Sequence, residues 1–574
     1  MAAIGAAAPA SANPTTCYDE TDGTTTPARY HDGFESCLWG DFFVNYTPPS
    51  QIRSEEWMRE RADQLKGQVR RMFEATMSMA DAVTLVDTLE HLGMGLRFRE
   101  EIDLLLDRVY RADEDLEFST SNDLHIVALR FRLLRQHGFF VSADVFDKFR
   151  DGNNGGGSFS TGLCGKTRDL LSLYNAAHMA IPGEEALDDA IAFARRHLEA
   201  AVNKGELKSP MAEQVSRALG IPLPRSKPRV EATYYIAEYG QEETYDAVLL
   251  ELAKLDFNLV RALHLKELSD ITLWWKALYD KVKLTFCRDR AVEMHFWTLD
   301  MVPWDECSRA RIALAKVIGL GGMMDDVYDV HATFEDCQRF DQAMQRWEES
   351  AVSVIPEYLR GFYLQIVRQF NELEGMLKSH EKHRISYLIK EFQMQSRIYV
   401  QEAKWSNDKY IPTFKEHTEV SLMSSWASTL CLVASAFAED DVLATEQAVQ
   451  WGLGMPDMYM ACAEITRFRN DVASYQRGKN RKDMPNSVEC YAKEHGVTGD
   501  EAAAAVTAIV EPAWRRINQG CLEMDRALLP AAARPVVGMS REVEVIYLDG
   551  RDGYTFGSDI KHIIDRLFVD PVPV

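Results

Sequence analysis

Residues 122–138 read Asn-Asp-Leu-His-Ile-Val-Ala-Leu-Arg-Phe-Arg-Leu-Leu-Arg-Gln-His-Gly. Val127, Phe131 and Leu134 recur at spacings of four and three, which places them on one face of a helix. Asn122 or Asp123 can cap its start, and Gly138 supplies a stop. The same period returns at Leu249, Leu252, Ala253, Phe257 and Val260. No series of alternating strands with hairpin turns accompanies it, so the chain is expected to be all-α. The segment Ile221-Pro-Leu-Pro-Arg-Ser-Lys-Pro228 holds three prolines in eight residues. Proline lacks an amide donor and interrupts helices, which makes this segment the best domain boundary. The expected division is a disordered head (residues 1–35), an N-terminal helical domain (36–228) and a C-terminal helical domain (229–574).

The chain has 574 residues, 46% apolar, with 64 basic against 88 acidic side chains and a net charge of −24. That length suits roughly two to four domains. The acidic balance argues against nucleic acid or an anionic membrane as the main partner, since both recruit clustered Lys and Arg. The longest apolar run, Thr429 to Ala438, is about half of the roughly 20 residues a bilayer span requires. Residues 1–38 carry one basic side chain, Arg29, among Asp19, Glu20, Asp22, Asp32 and Glu35. This fits neither an Arg-rich transit segment nor a secretory signal, so the cytoplasm is expected. The ten cysteines are scattered without a C-x-x-C pair, as free thiols would be.

Several motifs fail on inspection. Ser160-Thr-Gly-Leu-Cys-Gly-Lys-Thr167 lacks the first glycine of a phosphate-cradling loop and follows a Gly/Asn run instead of a strand. His380 and His383 sit in polar surroundings with no third ligand nearby, as on a solvated helix face. Asp188-Asp189 and Asp440-Asp441 extend to no third carboxylate on the same face.

The informative stretch is Gly321-Gly-Met-Met-Asp-Asp-Val-Tyr-Asp-Val330. Asp325 and Asp329 lie one helical turn apart, with Asp326 about 100° around. Three carboxylates beside an apolar approach repel one another, and a hard divalent cation such as Mg²⁺ relieves that repulsion. In Arg467-Phe-Arg-Asn-Asp-Val-Ala-Ser474, Asn470 and Ser474 present an amide and a hydroxyl from one side of a helix. Arg288 and Arg290 place two guanidinium groups within three residues, a pattern that favours phosphate. A diphosphate held by metal ions is the natural ligand of such a set.

The chain resembles the plant class I terpene synthases from about Trp39 to its C-terminus. The resemblance rests on the order of Leu38-Trp-Gly-Asp-Phe-Phe43, Leu170-Leu-Ser-Leu-Tyr174, Trp274-Trp275, Arg288-Asp-Arg290, Asp325-Asp-Val-Tyr-Asp329, Asn470/Ser474 and Asp552-Gly-Tyr554. It implies an N-terminal α-barrel relic and a C-terminal helical bundle holding the active site. No DxDD motif of the protonation-initiated kind precedes residue 230, so the N-terminal domain is expected to be non-catalytic, with its leading segment capping the site. By resemblance, Asp325 and Asp329 hold two Mg²⁺, with Asp326 more often a support than a direct ligand. Asn470 and Ser474 hold a third ion, with Mn²⁺ a substitute for Mg²⁺. Arg288, Arg290 and Arg467 grip the departing diphosphate. Trp297, Tyr547 and Tyr554 face the cation cavity, with Trp426 near a kinked helix. Residues Asp549 to Ser558 form a lid in which Asp552 hydrogen-bonds Tyr547. The family expectation for assembly is a monomer.

One position departs from the family pattern. The second metal motif runs (N/D)Dxx(S/T)xxxE, and its last ligand falls at Gly478. A water can take the vacant position, since Mg²⁺ retains several waters, so activity with a raised Mg²⁺ requirement is expected; a catalytically impaired, diphosphate-binding paralogue is the rival. Relatives using geranyl diphosphate carry an Arg-Arg pair upstream of the residue equivalent to Trp39. Pro27 to Trp39 lacks it, which favours farnesyl diphosphate. A chain-elongating prenyl diphosphate synthase would need a second DDxxD where this chain has Asn470 to Ser474.

Overall fold

The computed structural model describes residues 34–48, 53–111, 122–151, 158–242, 244–439, 445–477 and 484–574. Among them every regular element is a helix, and the only β contact is an isolated bridge between Arg150 and Phe159. The motif at 122–138 forms the helix Leu124–Gln136, with the Asp123 carboxylate accepting the Ile126 amide at 3.3 Å. Val127, Phe131 and Leu134 are buried on it. Gly138 ends the turn at φ +78°, and a Cβ there would lie 2.8 Å from Leu529, so only glycine fits both demands. Most of residues 1–35 lie outside the described residues; Phe34 and Glu35 are described and packed.

The proline segment runs from the end of the helix Met211–Gly220, through a short 3-10 turn, to Pro228 at the first position of the next helix. It is bonded closely to the C-terminal half. Arg225 pairs with Glu511 at 2.6 Å, the Arg541 Nε donates to the Pro224 carbonyl at 3.0 Å, and Lys227 pairs with Glu542 with both side chains fully buried. Buried apolar side chains from both halves form one continuous core. A cavity of about 830 Å³ follows the seam, lined by basic and acidic side chains alike.

Eight helices of the C-terminal half position the site: α1 (Ala247–Val282), α2 (Ala291–Met301), α3 (Ser308–Asp326), α4 (Ile385–Asp408), α5 (Phe414–Ser424), α6 (Ala427–Phe437), α7 (Asp457–Gln476) and α8 (Leu529–Ile546). Every residue of α2 and α6 is buried; α6 has the nearly continuous apolar sequence of a central helix, whereas α2 also buries Glu293, His295 and Asp300. α3 packs on α6, and α2 and α7 both pack on α8. A capping box of Thr413 and Glu416 starts α5, and the chain breaks between α5 and α6 at Trp426, whose φ is +63°. By length and composition Phe414–Phe437 could cross a bilayer, but 83% of its apolar window is buried inside the molecule, where it serves as core. The nine described cysteines are free.

The discarded motifs occupy ordinary places. His383 bonds the His380 carbonyl and Glu446 at the surface, and Asp188 and Asp189 pair with Arg515 and Arg150. Asp440-Asp441 lie outside the described residues.

Candidate active site

The two oxygen-rich motifs meet across one cavity of about 230 Å³. Its acidic wall is the end of α3. The α-helix stops at Asp326, and the chain continues as a π-turn over Val327–His331 that carries Asp329. The Asp325–Asp329 spacing thus straddles a change of helix type, and such π insertions recur at functional sites. Both carboxylates line the cavity. The Tyr399 hydroxyl on α4 donates to Asp325 Oδ1 at 3.0 Å, and Arg288 Nη2 donates to its other oxygen at 2.6 Å.

Asp326 stands apart. Its side chain is 1% exposed, against 27% for Asp325, and its carboxylate accepts the Arg288 backbone amide at 2.8 Å and Nε at 3.2 Å. The structure therefore makes Asp326 a support for Arg288 and leaves it out of the cavity lining that Asp325 and Asp329 share, so the supporting role, and not direct metal ligation, is the one its geometry fits.

The opposite wall is α7. Arg467, Asn470 and Ser474 follow at i, i+3 and i+7, so one face carries all three into the cavity. Arg467 donates Nε to the Ser421 carbonyl at 3.0 Å and Nη2 to Ser424 Oγ at 2.9 Å, both on α5. Burial works against its charge, but Asp471 and Glu402 hold its pKa above the usual range. The Asn470 amide nitrogen donates to the Tyr547 hydroxyl at 3.0 Å, which leaves its carbonyl oxygen as the donor atom for a cation. α7 runs to Gln476 with Arg477 as its C-cap, and Gly478 lies outside the described residues.

Aromatic rings complete the lining. Trp297, Trp426, Tyr547 and Tyr554 all line the cavity. Trp297 and Tyr554 meet edge to face at 5.6 Å, and Trp426 Nε1 donates to the Tyr399 hydroxyl at 2.6 Å. Burial raises the Tyr547 and Tyr554 hydroxyls far above the usual phenol range, so both stay neutral.

The C-terminal loop covers the mouth. Arg477 donates to the Gly550 carbonyl at 2.8 Å and pairs with Asp559, tying the loop to the end of α7. Asp552 accepts the Thr555 amide at 2.9 Å, and the Tyr547 hydroxyl, expected to meet Asp552, accepts the Asn470 amide at 3.0 Å instead. Arg290 was expected to grip an anion in the cavity, and the structure gives it another task. Its buried guanidinium donates to the carbonyls of Tyr554 (2.9 Å), Thr555 (2.6 Å), Asp289 (2.8 Å) and Glu35 (2.7 Å). It staples the loop to the leading segment. The Glu35 carboxylate accepts the Ser558 amide at 3.1 Å, and Arg288 lies over the Phe34 ring at 5.2 Å. The lining residues that escaped sequence reasoning include Tyr399, Glu402, Ser424 and Thr555. Of these, only Tyr399 and Glu402 leave a trace, an i, i+3 pair on α4.

The ligand set fits Mg²⁺ bridged by a diphosphate. Among the described residues no three His, Cys, Asp or Glu side chains form a ready-made cage. Oxygen donors instead stand on two facing walls, and Mg²⁺ is characteristically held by one or two carboxylates, waters and substrate phosphates.

A two-domain all-α fold with this facing arrangement defines a class I terpenoid-forming architecture, and comparison with known proteins agrees. The model described as "Terpene synthase family, metal binding domain" matches residues 276–516, and "Terpene synthase, N-terminal domain" matches residues 38–219. The chain belongs to the terpene synthase family. It is 50% identical over 555 residues to the eudesmanediol synthase of Zea mays, covering 96% of this chain and 98% of the relative, and 42% identical over 560 residues to the tau-cadinol synthase of Zea mays, covering 96% and 100%. Among solved structures, isoprene synthase from grey poplar (Populus x canescens), in complex with three Mg²⁺ ions and dimethylallyl-S-thiolodiphosphate, superposes with a TM-score of 0.82 at 29% identity, covering 90% of this chain and 97% of that one.

Proposed function

We propose that this enzyme, a lyase of the terpene synthase family acting on a prenyl diphosphate, takes farnesyl diphosphate and forms a sesquiterpene with release of diphosphate. The observation that carries the reading is the facing of Asp325 and Asp329 against Arg467, Asn470 and Ser474 across one cavity that is also lined by Trp297, Trp426, Tyr547 and Tyr554. The relatives at 50% and 42% identity are sesquiterpene synthases, which supports the farnesyl chain length.

In this reading Asp325 and Asp329 hold two Mg²⁺, and Asn470 and Ser474 hold a third, with Mn²⁺ able to replace them. Bound there, the metal supplies Lewis-acid stabilisation of the leaving diphosphate. Arg288 and Arg467 add fixed positive charge at the same anion, an electrostatic contribution that strengthens as water leaves. The C1–O bond breaks with its electron pair on the diphosphate, and Trp297, Tyr547 and Tyr554 offer the allylic cation π faces without a nucleophile. The loop from Asp549 to Ser558, with Asp552 shaping its turn, keeps water out. Residues 36–228 serve as a non-catalytic N-terminal domain and 229–574 as the catalytic one. The enzyme works as a cytoplasmic monomer with no nucleic-acid or membrane partner, a reading supported by its −24 charge and its free thiols.

Purified protein incubated with farnesyl, geranyl and geranylgeranyl diphosphates, with and without Mg²⁺, tests this by the hydrocarbons and alcohols extracted. The expected result is Mg²⁺-dependent sesquiterpene from farnesyl diphosphate. Product from geranyl diphosphate alone makes it a monoterpene synthase, and no product from any substrate makes it a diphosphate-binding paralogue.

A further inference from the structure

Gly321 and Gly322 occupy the interior of α3 one turn before Asp325, and both line the cavity. Glycine is a poor residue for a helix interior, so two in succession call for a packing reason. A Cβ on Gly322 would lie 2.6 Å from the Tyr554 hydroxyl oxygen, while the nearest ring carbons would stand at 3.6 and 3.7 Å, ordinary contact. A Cβ on Gly321 would lie 3.0 to 3.1 Å from three ring carbons of Trp426.

Both aromatics are tied to neighbours that set their positions. Tyr554 is edge-on to Trp297, lies 5.2 Å from the Arg288 guanidinium, and has its carbonyl held by Arg290. Trp426 is held by its Nε1 bond to Tyr399, by an edge contact with Phe392 at 5.0 Å, and by its left-handed backbone.

We infer that Gly321 and Gly322 are positioning residues for product specificity: the missing side chains let Tyr554 and Trp426 pack directly on the helix that carries Asp325, so both rings line the cavity one turn from that carboxylate. The inference rests on the reading of the cavity as the place of ionisation and cyclisation. Attraction of a cation to a ring falls off quickly with distance, so the depth to which these rings reach decides which carbon bearing the charge is favoured. Gly322 acts on one atom, the Tyr554 hydroxyl. Replacing that tyrosine by phenylalanine removes the atom a methyl group would strike.

The test compares wild type, Gly322→Ala, Tyr554→Phe and the Gly322→Ala/Tyr554→Phe double variant with farnesyl diphosphate and Mg²⁺, reading product ratios by gas chromatography. Binding of inorganic diphosphate with Mg²⁺ and melting temperatures are read on the same four proteins. Gly322→Ala is expected to change the ratio of main to minor products by about threefold or more, with diphosphate affinity held within about twofold. The double variant is expected to reproduce the profile of Tyr554→Phe alone. Gly322→Ala with wild-type ratios, a double variant that keeps the Gly322→Ala profile, or a double variant as unfolded as Gly322→Ala would each overturn the inference. If wild type turns over no prenyl diphosphate, the failure belongs to the functional reading. The contact is then decided by melting temperature, where the alanine must lower it beside Tyr554 and leave it unchanged beside Phe.

Discussion

Arg288 donates its backbone amide and its Nε to Asp326 while its Nη2 reaches the neighbouring Asp325 at 2.6 Å. One guanidinium thus links the buried and the open carboxylate of the acidic motif, and in doing so fixes its own place at the cavity wall. Asp326→Asn keeps an acceptor for the backbone amide but removes the charge partner. A hydrogen bond to a charged group contributes roughly 1.5–3 kcal/mol, so kcat/KM is expected to fall about 10- to 100-fold. The half-saturating Mg²⁺ concentration should stay near that of wild type, whereas Asp325→Asn and Asp329→Asn should raise it. A Mg²⁺ titration of the three variants checks this; a shift in Asp326→Asn as large as in Asp325→Asn would return Asp326 to the ligands.

Lys227 and Glu542 join the proline segment to α8 in full burial. Lys227 also donates to the Phe296 carbonyl at 2.7 Å and sits 3.4 Å above that residue's ring. Burial lowers the lysine pKa and raises that of Glu542 to about 7, so each depends on the other to stay charged. Removing one partner strands the other, which costs roughly 3–5 kcal/mol, whereas replacing both by apolar groups is often neutral. Lys227→Met is therefore expected to lower the melting temperature strongly, and Lys227→Met/Glu542→Leu to recover most of the loss. Equal loss in the single and double variants would show that the pair itself, and not the stranded charge, sets the stability.

Gly478 gives a prediction that rests on the spacing of the motif. In the proposed function Asn470 and Ser474 offer a third ion two neutral oxygen donors, and by the spacing of the motif a carboxylate at 478 would add charge to the same set. Gly478→Glu is expected to lower the half-saturating Mg²⁺ concentration several-fold with the product ratio unchanged. An unchanged or higher requirement in that variant would remove the link between this position and the metal.

The fold was legible because it is written in short periods. Val127, Phe131 and Leu134 declare a helix within eight residues, and Asp325/Asp329 and Arg467/Asn470/Ser474 declare their faces by spacing alone. What the sequence withheld depends on partners far along the chain. Arg290 looked like an anion-binding side chain until the carbonyls of Tyr554 and Thr555, more than 260 residues away, took its donors. Spacing set Asp326 about 100° away from Asp325, but that it supports Arg288 shows only in its burial beneath that side chain. Tyr399 and Glu402 are single polar residues on an amphipathic helix, a pattern that solvated faces share, and only the packing of α4 against the π-turn at Val327–His331, α5 and α6 turns them inward. The π-turn at Val327–His331 shows in no local propensity.

Glu402 connects that hidden set to pH. Its carboxyl is buried at the cavity, accepts Ser424 Oγ at 2.7 Å, and through that hydroxyl touches Arg467. Burial raises its pKa to about 7, with Arg467 and Ser424 opposing and Asp325 and Asp471 adding to the rise. In the unfolded chain an ordinary glutamate ionises near 4.3, so between that pH and about 7 the folded protein holds a proton the unfolded chain has lost. Stability contributed by this group is complete below the unfolded value and falls as pH rises through the window, by roughly 4 kcal/mol at about 1.36 kcal/mol per unit. Glu402→Gln carries no such proton. Denaturant melts of both proteins without Mg²⁺ from pH 5 to pH 8 should therefore show Glu402→Gln gaining on wild type as pH rises, with the gain levelling above about pH 7. A difference that stays flat across that range would place an ionised carboxylate at Glu402 throughout, with Arg467 and Ser424 overcoming the cost of burial.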